Sequence, residues 1–542
     1  MSAVFQVDLP IGRQGPIGDQ SLSHIVRNDP SETVFAIGQI RVVWSSRSGA
    51  LKVNVPFTTA DQLYYRRDSD KLRISNDLRV LFDKKCEVDP RGFYSLLQFG
   101  TTVPPLTLWK DIAEFIPGRH VTVNADGNIC VEQEPAIQWP NSEPSDHSLA
   151  LQGQVDILTG LIDQILTEAC PTKDPVILFS GGVDSGVLAA RAAAMGWKDA
   201  TLVNYCFGND DTESMLAERI AKQLGLGFVR ISDGDYSNLE VLKDIGRIYA
   251  RPFGDPSLSP TYALARAVID RFASSRVILD GTGADGAFGL FSKTSFYRNL
   301  YRIPHSIRKA VEYLYGVSGS WMTDSRIERI GRVLSRSSQL PIVLAAIARN
   351  PLANIAYRVR PDVKREVLEL AGMWVNSIVP SRSVNAQLPA ADLAINCSRV
   401  LAQKTKSVFD AYNRKVAYPF LDSRMIGLAV QRARHWPGRE EPKRVLKAIL
   451  ASHVPSEMVY RPKSGFVGPY KTIFSRSEFV TALDRVLEHK TALTEFVDLF
   501  ALRRLRDRVR SRTPLPGQTY WFIWAAVFAH HWLEALETRA DS

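Results

Sequence analysis

The sequence predicts an α/β protein in two parts: a β-rich N-terminal region, and a doubly wound parallel sheet followed by a large, mostly helical C-terminal region. Three observations carry this. In the first 130 residues, β-branched runs such as VFAIGQIRVVW, LKVNV and HVTVN are bounded by Gly, Ser and Asn, as strands are. From residue 151 onward, short apolar runs alternate with segments of helical period, the pattern of βαβ units. Beyond Tyr297 the periodicity is mostly helical. A chain of 542 residues is long enough for more than one domain, since a domain takes roughly 100–200 residues.

The boundary falls in PAIQWPNSEPSDHS, residues 135–148, where three prolines and no periodicity indicate a linker. It divides the chain into domains at 1–134 and 149–542. After it, Leu151, Val155, Leu158, Ile162, Ile165 and Ala169 recur at spacings of 4, 3, 4, 3 and 4, one face of an amphipathic helix. The run 176–179 reads as a short buried strand and 187–194 as the next helix. DATLVNYCF and SRVILDG read as strands, with ESMLAERIAKQLG a helix between them. Near the C-terminus, Trp521, Trp524, Phe528 and Trp532 form a core or docking stripe, and His530 and His531 within it read as core or helix-end groups. Six arginines between 503 and 512 read as a solvated basic helix face.

Two turns carry chemistry. The first strand runs into Ser180-Gly181-Gly182-Val183-Asp184-Ser185 and then a helix. Paired glycines let backbone approach a ligand closely, and a helix N-terminus presents N–H groups to an anion. The loop lacks the GK[ST] ending of a Walker loop. Asp184 would repel a phosphate unless a cation lay between them, which implies Mg²⁺. A second strand leads into Asp280-Gly281-Thr282-Gly283-Ala284-Asp285-Gly286. Ligands of doubly wound sheets sit at the carboxyl ends of strands, so Asp184 and Asp285 are expected to face one another across a shared metal–pyrophosphate.

The bulk properties narrow the field. The chain carries 67 Lys+Arg against 57 Asp+Glu, a net charge of +10. Residues 1–150 are net −3 and the remainder net +13, with 13 basic and 4 acidic residues in 298–365 alone. The five cysteines are scattered with no CxxC pair, which excludes a disulfide framework and fits a reducing cytoplasm. The longest apolar run, 521–529, is too short for a membrane span, so no membrane association is expected.

These motifs resemble a known family. SGGVDS is the pyrophosphate loop of the N-type ATP pyrophosphatases, and DGTGADGAFG is similar to the SGEGADELFGG element of asparagine synthetases. PFGDPSLSPTY, YPFLD, the block VLKAILASHVPSEMVYRPKSGF and the C-terminal WFIWAAVFAHHWLEAL resemble further segments of those enzymes, in order. KLRISNDLRVLF and PPLTLWKDIAEFIPGRHV resemble parts of their N-terminal half. The resemblance implies a degenerate Ntn-glutaminase-like domain before the ATP-pyrophosphatase domain. It also implies ATP-dependent activation of a carboxylate as an acyl-adenylate, then attack by an amine. By the same resemblance, Ser180 to Ser185 hold the pyrophosphate of ATP, Gly283 belongs to the nucleotide site, and Asp184 and Asp285 bind Mg²⁺. Phe179, Cys206, Gly281 and Thr282 fall where the family holds adenosine, and Lys463 falls at the active-site lysine. A fixed ammonium is the stabiliser expected where negative charge builds.

The departures are as informative. The residue after Met1 is Ser2 rather than a cysteine, no cysteine precedes Cys86, and the RGPD-like and FNGEIYN-like glutamine-holding segments are missing. Ammonia from glutamine is therefore not the expected nucleophile. Thr282 stands where asparagine synthetases have Glu and β-lactam-type synthetases have Tyr, and Lys415-Val416-Ala417 replaces the EVR before PFLD. The sequence is most similar to lasso-peptide macrolactam cyclases. In those enzymes an Asp or Glu side chain of a ribosomal precursor peptide is adenylated and attacked by the peptide's N-terminal amine. A leader peptidase and a leader-binding protein are the partners this implies. The alternatives are an asparagine or β-lactam-type synthetase and a tRNA-modifying pyrophosphate-loop enzyme. The PFLD and RPKSGF blocks, which tRNA-modifying relatives lack, make nucleic acid the less favoured partner. Ser2→Ala is expected to leave ATP-dependent turnover unchanged; a large loss of activity would reveal a working amidohydrolase in the N-terminal domain.

Overall fold

The structure is a computed structural model. It describes residues 5–10, 25–29, 32–133, 151–208, 211–232, 239–289, 291–318, 334, 337–338, 340–348, 358–379, 384–434, 441–461, 473–513, 515 and 517–541. The expected linker, 135–148, lies outside the described residues.

The N-terminal region is β-rich, as its sequence pattern predicts. Its strands are β1 (Gln6–Pro10), β2 (Ile25–Asp29), β3 (Glu32–Ile37), β4 (Ile40–Ser45), β5 (Ala50–Val55), β6 (Tyr64–Arg67), β7 (Lys71–Ser75), β8 (Ile112–Glu114), β9 (Arg119–Val123) and β10 (Ile129–Gln133). They form two antiparallel sheets, ordered β1-β7-β6-β8 and β10-β9-β5-β4-β3-β2. Strict alternation fixes the inner faces. Leu51, Val53 and Val55 of β5 are buried while Lys52 is exposed, and Leu72 and Ile74 of β7 are buried opposite them. These side chains, with Val7, Ile40, Val42, Val121 and Val123, make a small core shared by the two sheets.

The third sheet is the predicted parallel one. Its strands are β11 (Val176–Leu178), β12 (Thr201–Cys206), β13 (Gly227–Ser232), β14 (Ile278–Leu279) and β15 (Val416–Ala417). The order is β13-β12-β11-β14-β15, with every pairing parallel. From the central β11 the chain builds outward to β12 and β13, then returns to the other side for β14 and β15. The turns after β11 and β14 thus lie side by side at the topological switch point, where open α/β sheets bind ligands. The amphipathic helix predicted from its spacing spans Leu151–Ala169 and buries Leu158, Ile162, Ile165 and Leu166.

Most of the apolar interior is one core that both parts share. Phe93, Leu96, Leu97 and Phe99 of the N-terminal helix Pro90–Phe99 join the same cluster as the parallel sheet and the C-terminal helix Gly517–Asp541. Phe93 stacks on Phe496, and Trp109 packs on Trp532, whose indole donates to Tyr249 O at 2.8 Å. His530 is buried there against the Thr491 hydroxyl, as a core residue.

Polar groups cross the same boundary. The helix Val384–Ala391 continues as a π-helix, Asp392–Leu401, and resumes α geometry over Ala402–Ala411. From this run Arg399 makes a bidentate pair with Glu114 of β8, both almost fully buried. Ser398 donates to Thr58 O, Gln403 to Ala60 O, and Thr58 Oγ1 to Leu421 O. Removing one partner of a buried pair strands the other charge in a low dielectric, so Glu114→Gln is expected to destabilise the protein by about 3–5 kcal/mol. Chemical denaturation measures this, and a loss below about 1 kcal/mol, the range of exposed pairs, would mean that the bridge does not hold the two parts together.

Candidate functional site

The helix after β11 begins earlier than its apolar pattern indicates. It spans Val183–Ala194, so Val183, Asp184 and Ser185 occupy its first turn. Gly182 is the N-cap, and no side chain caps the turn. The first-turn N–H groups have no intrahelical carbonyl, which suits them to an anion. Gly181 has φ +73°, and a Cβ there would stand 3.0 Å from Ala217 Cβ, so glycine is required both by conformation and by space. Ser180 N donates to Ser185 Oγ at 3.2 Å, which closes the loop on itself.

The turn after β14 packs directly on this loop. A Cβ on Gly281 would lie 3.2 Å from Ser185 N and 3.3 Å from Asp184 Cβ. Gly283, at φ +109°, caps the short helix Ala284–Phe288 and passes within contact of Phe420 and Leu421 of the YPFLD segment. Asp285 therefore sits in the first turn of one helix and Asp184 in the first turn of another, on adjoining turns.

Between them stands Lys443. Its Nζ is 2.5 Å and 2.7 Å from the two carboxylate oxygens of Asp184 and 2.5 Å from Asp285 Oδ1. Lys443 caps the helix Arg444–Ala451 with a left-handed backbone, φ +59°, and its N–H donates to Phe288 O at the end of the Asp285 helix. The same helix sets Leu450 against Gly186 of the Asp184 helix. Burial pulls the lysine pKa down, but the charges of Asp184 and Asp285 outweigh it and raise the pKa above the ordinary value. The ammonium is thus charged and held by both turns. Sequence reasoning missed it: the resembling block opens at Val445, two residues later, and a lysine in EPKRVLK reads as an ordinary solvated helix start.

The two aspartates thus aim at one position that a cation already fills. Among the described residues no group of three or more His, Cys, Asp or Glu forms a metal site. Two carboxylates, with phosphate oxygens and water completing the shell, are nonetheless the donor set that Mg²⁺ takes beside a nucleotide. The residues fit that ion.

The remaining expected residues line the ends of neighbouring strands. Phe179, just past β11, is buried, with its carbonyl accepting from Asn204 Nδ2 at 2.8 Å. Cys206 ends β12, buried, its thiol donating to Gly208 O. Thr282 donates its N–H and its hydroxyl to Asp280 Oδ1, at 2.9 and 2.8 Å. Lys463 lies outside the described residues. Arg461, two residues before it, makes a bidentate pair with Glu213, at 2.6 and 2.7 Å. That pair ties Arg461 to the helix Thr212–Leu224, which also carries Ala217 against the first loop. On the β15 side, Lys404 bonds Ser257 Oγ at 2.7 Å and lies 3.3 Å from Asp255, both buried.

None of the five cysteines forms a disulfide. Among the described residues no helix is long and apolar enough to cross a membrane.

Residues 172–534, well over half of the chain and containing both glycine turns and Lys443, match the family described as asparagine synthase. No curated protein matches the sequence. Among solved structures, an NMN synthetase from Francisella tularensis aligns at 12% identity over 48% of this chain and 97% of that one, with a TM-score of 0.21, too loose a likeness to bear on function. Asparagine synthase family enzymes are ATP-dependent, AMP-forming ligases that make amides, typically with Mg²⁺. The chain belongs to the asparagine synthase family.

Proposed function

We propose that this protein is an ATP-dependent macrolactam synthetase of the lasso-peptide cyclase type. It adenylates an Asp or Glu side chain of a precursor peptide, and the peptide's N-terminal amine then displaces AMP to close an amide ring. The observation that carries the adenylating part is the convergence of Asp184 and Asp285 on one cation position at the switch point of the sheet. The choice of acceptor rests on sequence: the missing glutamine-holding segments, Thr282, and Lys415-Val416-Ala417. In this reading 1–134 is a degenerate glutaminase-like domain, and 149–542 carries the chemistry. A leader-binding protein and a leader peptidase are its partners, and the basic stretch 298–365 offers them or the peptide a docking face.

The chain's own residues divide the work. The first loop, Ser180 to Ser185, binds the β- and γ-phosphates through backbone N–H groups and hydroxyls. Asp184 and Asp285 would hold Mg²⁺, which when bound supplies charge neutralisation on the phosphates. Lys443, held at the meeting of the two turns, is placed to shift from the carboxylates to a phosphoryl oxygen as the nucleotide enters. Phe179 and Cys206, at the ends of β11 and β12, border the nucleotide side of the crevice.

Incubation of the purified protein with ATP, Mg²⁺ and candidate peptides is expected to remove one water from the peptide and release AMP and pyrophosphate. Asp184→Ala or Asp285→Ala should abolish pyrophosphate release; near-normal release would remove the site assignment. Lys463→Ala should fold and lose several hundred-fold in rate, the ~3–4 kcal/mol of a lost transition-state donor. Lys443→Gln frees the two carboxylates from their resident cation. Binding of Mn²⁺ without nucleotide, read by electron paramagnetic resonance, should therefore tighten at least about tenfold, well within the attraction of a unit charge a few ångströms away. Unchanged Mn²⁺ affinity would show that the lysine and the dication use different positions.

A further inference from the structure

Asp280 is a carboxylate at the heart of the site to which the reading above gives no role. It follows β14, and its N–H donates to Ala417 O of β15 at 3.0 Å, so its backbone is fixed between two strands. The next residue, Gly281, is the one that packs against Asp184 and Ser185. The Asp280 side chain makes its contacts on the β15 side. Oδ2 accepts from Thr405 Oγ1 at 2.8 Å, and Thr405 in turn meets the Tyr418 hydroxyl at 2.9 Å.

Each of the carboxylates around it has a lysine in contact, although Lys443 is shared by two acids and Lys406 is shared by Asp61 and Asp410. Asp184 and Asp285 face Lys443, Asp255 faces Lys404, and Asp61 faces Lys406. Asp280 instead receives one backbone N–H and two hydroxyls, all uncharged, and among the described residues no cation lies within ion-pair distance of it. Neutral donors orient a carboxylate without cancelling its charge. A carboxylate has about four lone-pair positions, so three donors leave it able to accept one more. Compared with the SGEGAD pattern of asparagine synthetases, the turn here has its extra carboxylate at the first position, Asp280, and a hydroxyl, Thr282, at the third.

We infer that Asp280 holds the amino group of the acceptor, and so selects a primary amine and sets it on the β15 side of the crevice, beside the turn that meets the phosphate loop. This rests on the amide-forming reading proposed above and names the group that recognises the nucleophile. Thr405 and Tyr418 act on the amine only through Asp280, as positioning residues.

The test compares wild type with Asp280→Asn. Asparagine keeps the acceptor at Oδ1 for Thr282, and its amide can donate to the Thr405 hydroxyl, so the turn survives while the charge is removed. The probe is a panel of synthetic peptides, each with a free N-terminal amine and one Asp or Glu at a varied distance from it. Two readouts are taken on the full chain: peptide-dependent ATP–pyrophosphate exchange, which reports adenylation, and loss of one water, which reports amide closure. The variant is expected to keep exchange within about twofold and to lose closure by about 10- to 100-fold, the worth of a charge-assisted hydrogen bond. Equal closure by both proteins overturns the amine assignment, and so does a parallel loss of exchange and closure, which would make Asp280 a turn residue only. A wild type that neither exchanges nor closes any peptide overturns the functional reading, and the assignment with it.

Discussion

Two carboxylates on neighbouring turns repel one another unless a cation lies between them, and here that cation is the Lys443 ammonium. The rest of the site follows from bringing these three groups together. Gly281 is glycine because the second turn must touch the first at Asp184 and Ser185. Gly283 must turn left-handed past Phe420. Lys443 itself has a left-handed backbone, φ +59°, a conformation that costs a non-glycine residue about 1–3 kcal/mol and persists where the surrounding contacts fix it. Its helix packs on the Asp184 helix while its backbone is bonded to the Asp285 helix. The lysine is thus the point where three segments distant in sequence are registered.

The sheet order explains why those segments meet. With β11 central and β12 and β14 on either side, the chain leaves the two middle strands in turns that adjoin at the same edge. Two helix N-termini and two acids meet at those turns. The YPFLD segment, which follows β15, closes the second turn from behind.

Much of this could be read from the sequence because it depends on local pattern. Spacing gave the helix Leu151–Ala169, β-branched runs gave the strands at 176 and 201, and paired glycines before an acid gave both turns. Long-range features could not be read that way. β15 is two residues long and exists only because Val416 and Ala417 pair with β14. The strand β13, GFVRIS, alternates too weakly to stand out without its neighbour β12. Lys443 carries no local mark at all, since what distinguishes it is two acids more than 150 residues away. A lysine after Glu-Glu-Pro is ordinary in sequence and decisive only in space. Asp280 and Thr405 share that property: their meeting depends on how the helix Ala402–Ala411 crosses the sheet.

The shared core has a consequence for how such a chain changes over time. Phe93, Leu97 and Trp109 lie in the interior of the ATP-binding part, and Glu114 neutralises an arginine belonging to it. Deleting the first 130 residues would open that interior to water and strand a buried guanidinium. The N-terminal region is therefore entrenched. Mutation can rewrite its outer face, yet each intermediate must keep the inner one, so packing alone is enough to retain the region.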